Sequence, residues 1–318
     1  MVQMNKVTAT RETQTQGWVD LNARIDWMVA PGMADYVNSL VSGRPLAEGG
    51  HWGLHALHRH IAPLAKRQGV GLSMLSLGCG DAHIEAALIQ QFGWPVTRMV
   101  GLEYDSVLRQ AAVARFADIG GVEASFTFFD FNHLPQRTVE ERYDIVFCCH
   151  ALHHATDLEG VLAFVNNMMA EKGRFIGIEY LGPTRFQIEY DVLPYIQALF
   201  ALLPTELRRN LAKGGVVEEQ FRAPTIAEVR GADISESIRS SDLRTLLLSS
   251  FPIEELKPMG GTLLRWLLQY RAGNFRHDDE NHVTIIRLLQ TIERQMIECR
   301  QIRSDDMFFV LSRSNRLG

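Results

Sequence analysis

Met74-Leu75-Ser76-Leu77-Gly78-Cys79-Gly80-Asp81-Ala82 is an apolar run that breaks into a Gly-x-Gly turn, and a second run closes at Gly101-Leu102-Glu103. Between them Ile84, Ala87, Leu88 and Gln91 share one helical stripe that stops at Gly93. A strand, a glycine turn, a helix and an acid at the end of the next strand form a βαβ unit that can hold a nucleoside. Glycine backbone comes close to the ligand, and the carboxylate accepts from ribose hydroxyls. An adenosine-type cofactor is expected at this edge.

The same alternation continues along the chain. Strands are expected over 72–77, 98–103, 124–129, 143–149 and 174–180, with helices over 81–92, 106–116 and 158–169. Residues 143–149, Tyr143-Asp144 and then an unbroken apolar stretch, form an apolar run, the signature of a strand buried on both faces of a parallel sheet. Two further strands, 253–264 and 307–312, flank an amphipathic helix over 284–299. The fold class is therefore α/β: a doubly wound, mostly parallel seven-stranded sheet. Residues 11–40 and 51–67 read as N-terminal helices, the first interrupted by Pro31-Gly32. Past Gly182-Pro183 the pattern turns helical, punctuated by Pro194, Pro204 and Pro224, with Ser240-Ser241-Asp242 expected to cap a helix over 243–249. The expected organisation is an N-terminal helical segment (1–70), a nucleoside-binding core (71–182), a helical cap insertion (183–245) and the remainder of the core (246–318).

The 318 residues suffice for a full core, and 46% hydrophobic with 22% charged residues is ordinary globular composition. Lys+Arg 32 against Asp+Glu 37 gives a net charge of -5 with no basic tract, which argues against a nucleic-acid substrate. No apolar stretch approaches the roughly 20 residues that cross a bilayer. No membrane partner and a cytoplasmic location are expected. Cys79, Cys148, Cys149 and Cys299 fall at a turn, within one strand and on a late helix, so reduced thiols are expected rather than a disulfide framework.

These stations together resemble the class I S-adenosylmethionine-dependent methyltransferases, most closely over 72–180. The resemblance implies a Rossmann-like methyltransferase fold and S-adenosyl-L-methionine as cofactor. It places Gly78, Cys79, Gly80 and Asp81 on the cofactor loop, Glu103 with Tyr104 at the ribose, Asp130 with Phe131 at the adenine, and Cys149 and His150 at the next strand end. Two residues depart from the pattern. Ser76 stands where an acid is frequent, and Ala82 where a third glycine is; Asp81 is expected to compensate for the first. A dinucleotide-binding turn would need glycine at 83, where this chain has His83.

The run Glu179-Tyr180-Leu181-Gly182-Pro183-Thr184-Arg185 leaves a strand at its carboxyl end, where open sheets bind ligands. Tyr180 and Arg185 are the candidates for touching the acceptor, although Arg185 equally suits an ion pair with Glu189 one turn on. His150, His153 and His154 follow the fourth strand, and methylating a hydroxyl calls for a base that titrates near neutrality. The catalytic candidates are His150, His154 and Tyr180. Arg230, Arg239 and Ser235-Glu236-Ser237 read more simply as solvated polar residues than as an anion site. His51, His55 and His58 recur at helical spacing; packing is the expected role, and no metal is expected. The Cys148-Cys149 pair reads as structural.

The expected activity is methyl transfer to an oxygen, nitrogen or carbon of a small-molecule acceptor enclosed by the cap, with specialised metabolite biosynthesis the expected setting. Two alternatives stay open: a protein of this fold that binds the cofactor without transferring methyl, and a protein-directed methyltransferase. The apolar stripe of 284–299 suits a homodimer face and a core face alike.

Overall fold

The computed structural model describes residues 24–69, 71–134 and 141–315. It divides into two compact units. One comprises Val37–Glu189, Ala223–Gly260 and Ile302–Gly318, and the other Met1–Tyr36, Tyr190–Arg222 and Gly261–Gln301. The N-terminal part of the helix expected over 11–40 lies outside the described residues.

The first unit carries the sheet. Its strands are β1 (Leu72–Leu77), β2 (Val96–Glu103), β3 (Glu123–Phe128), β4 (Tyr143–Cys149), β5 (Met169–Tyr180), β6 (Ile253–Gly260) and β7 (Asp306–Ser312). The order is β3-β2-β1-β4-β5-β7-β6, with β7 antiparallel to both neighbours and the other pairs parallel. This is the expected seven-stranded, mostly parallel α/β fold. The apolar run 143–149 is β4 to the residue, between β1 and β5, and all but its last position are buried. Asp144, the one acid within it, is satisfied by Ser73 N at 2.9 Å and Gln68 Nε2 at 2.6 Å.

Four helices of this unit matter below: α1 (His83–Gln90), α2 (Ser106–Ala117), α3 (Leu158–Met168) and α4 (Ser240–Ser250). Side-chain caps start two of them: Asp105 accepts from Val107 N and Leu108 N, and Asp157 from Gly160 N. The core lies between the sheet and α3 and α4. Val161, Leu162 and Val165 of α3 and Leu243 and Leu247 of α4 pack there with Val146, Phe175 and Phe309. Each such fully buried side chain contributes roughly 1.5–3 kcal/mol.

Three local expectations are corrected. Ser240-Ser241-Asp242 lie inside α4, whose N-cap is Arg239 and makes no side-chain cap bond. The strand expected to reach 264 stops at Gly260, because Gly260 and Gly261 take φ +80 and +87 and turn the chain. β5 begins at Met169, directly after α3, so Gly173 lies within the strand; a Cβ there would meet Tyr143 O at 2.8 Å.

The second unit is mainly helical, with Leu193–Leu202, Leu264–Leu268 and the 19-residue Glu280–Glu298. Ile286, Leu289 and Met296 of the long helix are buried, so much of its apolar stripe serves as core. Glu293 on the same helix is fully buried and accepts from Leu263 N (2.6 Å), Leu264 N (3.0 Å), Gly261 N (3.3 Å) and Tyr36 Oη (3.0 Å). No helix among the described residues is long and apolar enough to cross a membrane.

Candidate active site

The turn after β1 is built for close approach. Gly78 and Gly80 have φ +62 and +56, the left-handed region that glycine enters without cost. A Cβ at Gly78 would stand 2.4 Å from the Cβ of Ala151, whereas one at Gly80 would meet no heavy atom within 4 Å. The loop is tied to β2: Gly78 N and Cys79 N donate to Leu102 O at 2.7 and 3.1 Å. Ala82 also lies at φ +56, which explains the structural preference for glycine at this position.

Glu103, at the end of β2, receives Gly80 N on Oε2 (2.9 Å) and Asp105 N on Oε1 (2.8 Å). Each oxygen retains acceptor capacity for a hydroxyl. Asp130, after β3, accepts from Asn132 N at 2.8 Å and contacts His133 Nδ1 at 2.7 Å, and these two contacts hold its carboxyl below the ordinary range. It is at once the turn former of its loop and part of the cleft wall. Gly78, Gly80, Glu103, Tyr104, Asp130 and Phe131 line a cleft of about 670 Å³ together with His150, His154 and 233–235. That volume suits a ligand of cofactor size.

Ser76, which stands where an acid is frequent, is paired with a buried acid. Ser76 Oγ donates to Oε1 of Glu85, on α1, at 2.5 Å; both side chains are buried, and burial pushes the Glu85 carboxyl up to about 7. Asp81, the expected substitute, is engaged by Arg115 (2.5 Å) and His83 (2.6 Å). Burial raises its carboxyl, but those two hydrogen bonds outweigh it and hold the group low.

Neither Cys79 nor Cys149 is among the cleft-lining residues. Burial raises both thiols, and Cys148 with them, far from the thiolate range, so these cysteines pack and do not react. Tyr180 is also outside the lining; it is 1% exposed, its hydroxyl donates to Pro183 O at 3.2 Å, and its ring packs on Phe186. Among the described residues, Arg185 forms no ion pair with Glu189. It donates to Ile234 O (2.7 Å) and its N–H to Ser237 O (2.6 Å), so it positions the 233–237 segment that walls the cleft. Arg239 pairs with Glu159 and Asp242 on the surface.

Glu179 and His153 are the pair that the sequence did not single out. Glu179, fully buried at the end of β5, accepts from Ala151 N (2.9 Å), Leu152 N (2.8 Å) and Tyr180 N (2.8 Å), and bonds His153 Nδ1. Burial raises its carboxyl, and His153 more than offsets this, holding it ionised. Glu179 thereby fixes the turn 150–154, in which His150 takes φ +50. His154 contacts Ser235 Oγ at 2.9 Å through Nδ1; burial, then the nearby His153, lowers its pKa, so it is neutral at pH 7. The only hint in the sequence was an acid closing a strand, the same position as Glu103 one strand away.

His51, His55 and His58 do not converge. His51 caps the helix Trp52–Ala56 through Gly53 N (3.0 Å) and stacks on Phe92, His55 contacts Glu255 (3.0 Å), and His58 is exposed.

Residues 75–175 match a family model described as a methyltransferase domain. This stretch of the chain is a methyltransferase domain. S-adenosylmethionine is the cofactor of this methyltransferase domain, and the residues present suit it: open space over Gly80, and a strand-end carboxylate with acceptor capacity beside it. Solved structures similar to the chain include an S-adenosylmethionine-dependent methyltransferase from Mesorhizobium loti (14% identity, 82% of this chain and 97% of that one, TM-score 0.44). Others are the cyclase SpnF (11%, 82% and 82%, 0.42) and a protein from Pyrococcus horikoshii (13%, 83% and 92%, 0.39). No curated protein matches.

Proposed function

We propose that this methyltransferase acts on a small molecule held between the cofactor loop and the wall formed by 150–154 and 233–235. The observation that carries this is the shared cleft: the glycine turn and Glu103 line the same space as His150, His154, Asp233, Ile234 and Ser235. Such a cleft suits a compact acceptor better than a polypeptide.

S-adenosylmethionine supplies an activated methyl on sulfur; when an acceptor atom takes it, S-adenosylhomocysteine leaves. The chain contributes position and proton handling. Gly78 and Gly80 admit the cofactor, Glu103 grips the ribose hydroxyls, and Asp130 with Phe131 holds the adenine. Tyr104, 65% exposed, borders the same side. His150, exposed in the same cleft, takes the proton of a hydroxyl or amine acceptor, and neutral His154 orients it. Holding donor and acceptor in near-attack geometry supplies most of the rate, and the base assists.

Incubation with methyl-labelled S-adenosylmethionine and a metabolite extract tests this. The expected result is label in a low-molecular-weight product, lost in His150→Ala. Label confined to protein, or none transferred, contradicts the proposal.

A further inference from the structure

The turn that Glu179 fixes brings together more than a base. His153 is buried with Nδ1 engaged by Glu179, so a proton held there leaves Nε2 as the electron-pair donor. Nε2 stands 3.6 Å from Glu236 Oε1. The rings of His153 and His154 are 4.3 Å apart between centres, and His154 Nδ1 lies 3.9 Å from Asp233 Oδ2. One donor atom from each of His153, His154 and Glu236 can be chosen so that all three lie within 4.8 Å of one another.

We propose that His153, His154 and Glu236 coordinate one divalent transition-metal ion in the wall of the cleft. Two imidazoles and a carboxylate are the donor set of zinc and its neighbours rather than of magnesium or calcium, which favour oxygen-only shells. Bonds of about 2.0–2.2 Å at tetrahedral angles put ligand atoms about 3.4 Å apart, so a pair at the 4.8 Å limit must close by about 1.4 Å, shared between two side chains. Three protein ligands leave at least one coordination position open, as in catalytic rather than structural zinc sites.

The surroundings favour a built site. A metal-binding histidine characteristically donates its other ring N–H to a carboxylate that fixes its tautomer and orientation, and Glu179 stands in that place. Arg185 holds the opposite segment, donating to Ile234 O and to Glu236 O (3.4 Å), and Ser237 Oγ donates to Glu236 Oε1 at 2.6 Å. Both halves are thus anchored by contacts outside the three ligands. An ion here would also acidify an acceptor hydroxyl bound to it; that role rests on the methyl-transfer proposal, whereas ion binding does not.

The test titrates the full-length, chelator-treated protein with Co²⁺ and Zn²⁺, following the visible cobalt spectrum and competition with a chromophoric chelator. One equivalent bound at micromolar affinity or tighter is expected. His154→Ala and Glu236→Gln, checked for native folding by circular dichroism, should each weaken it at least tenfold, and Glu179→Gln about 10- to 100-fold through misoriented His153. His55→Ala, which removes only the His55–Glu255 contact, should leave it unchanged. Absence of stoichiometric binding, or binding that survives both ligand variants, overturns the proposal. Because no readout depends on turnover, either result leaves the methyl-transfer proposal to be decided separately.

Discussion

Ser76 Oγ donates to the buried carboxyl of Glu85 at 2.5 Å, linking β1 to α1 directly beneath the cofactor turn. Burial holds the folded-state pKa at about 7, above the ordinary 4.5. The folded protein therefore binds more protons than the unfolded chain between those values, and the group's cost appears as pH rises from about 4.5 through 7. A difference of this size corresponds to roughly 3 kcal/mol. Glu85→Gln removes the cost, so its stability relative to the wild type should rise between pH 5 and pH 8. Chemical denaturation of both proteins across that range checks it; a pH-independent difference contradicts it.

Gly80 is open on its cleft side and left-handed. Gly80→Val puts a branched side chain where the cofactor approaches and adds backbone strain of about 1–2 kcal/mol. Affinity for S-adenosylhomocysteine should fall at least tenfold while the sheet remains folded, measured by calorimetry alongside circular dichroism.

Three of the four cysteines are shielded. Cys79 and Cys148 are buried and Cys149 half-buried, with all three thiols raised by burial, whereas Cys299 is exposed. A thiol reagent at pH 8 should modify one cysteine quickly in the native protein and four after denaturation. Mass mapping should assign the first to Cys299.

In the helical unit, Arg271 is 5% exposed, pairs with Glu218, and lies 4.9 Å over the ring of Phe200. Arg271→Met keeps most of the volume but leaves Glu218 without its buried cation. Glu218 is half-buried and keeps Lys213 and Asn210, each at 3.0 Å, so the loss should be about 1–3 kcal/mol, below that of a fully buried pair. Urea denaturation should show a loss of this order; a loss under about 1 kcal/mol would assign the pair to the cheap surface class.

What the sequence revealed was whatever depends on local periodicity. The run 143–149 reads as a buried strand and is one, and the glycine turn and Glu103 are brought to one strand edge because both lie within one βαβ unit. What escaped was set by distant partners. Glu85 sits on a helix that reads as half polar, and only its contact with Ser76 reveals a buried acid. Glu179 and His153 are 26 positions apart and meet because β5 lies beside β4. Tyr180 and Arg185 were placed at the acceptor by their position after a strand, yet both are committed to backbone carbonyls nearby. The segment 183–245 read as one insertion because its helices share a composition, whereas Tyr190–Arg222 clusters with Gly261–Gln301 and Ala223–Gly260 with the sheet, a division set by contacts distant in sequence.

The central claim is that the cleft beside β1 and β2 holds the adenosine of S-adenosylmethionine with Glu103 on its ribose. Calorimetric titration of S-adenosylhomocysteine into the wild type and Glu103→Ala tests it most directly. The expected result is a single site in the wild type, weakened about 100-fold in the variant, the equivalent of roughly 3 kcal/mol for lost hydrogen bonds to a charged acceptor. Equal affinity in both proteins, or no binding to the wild type, contradicts it.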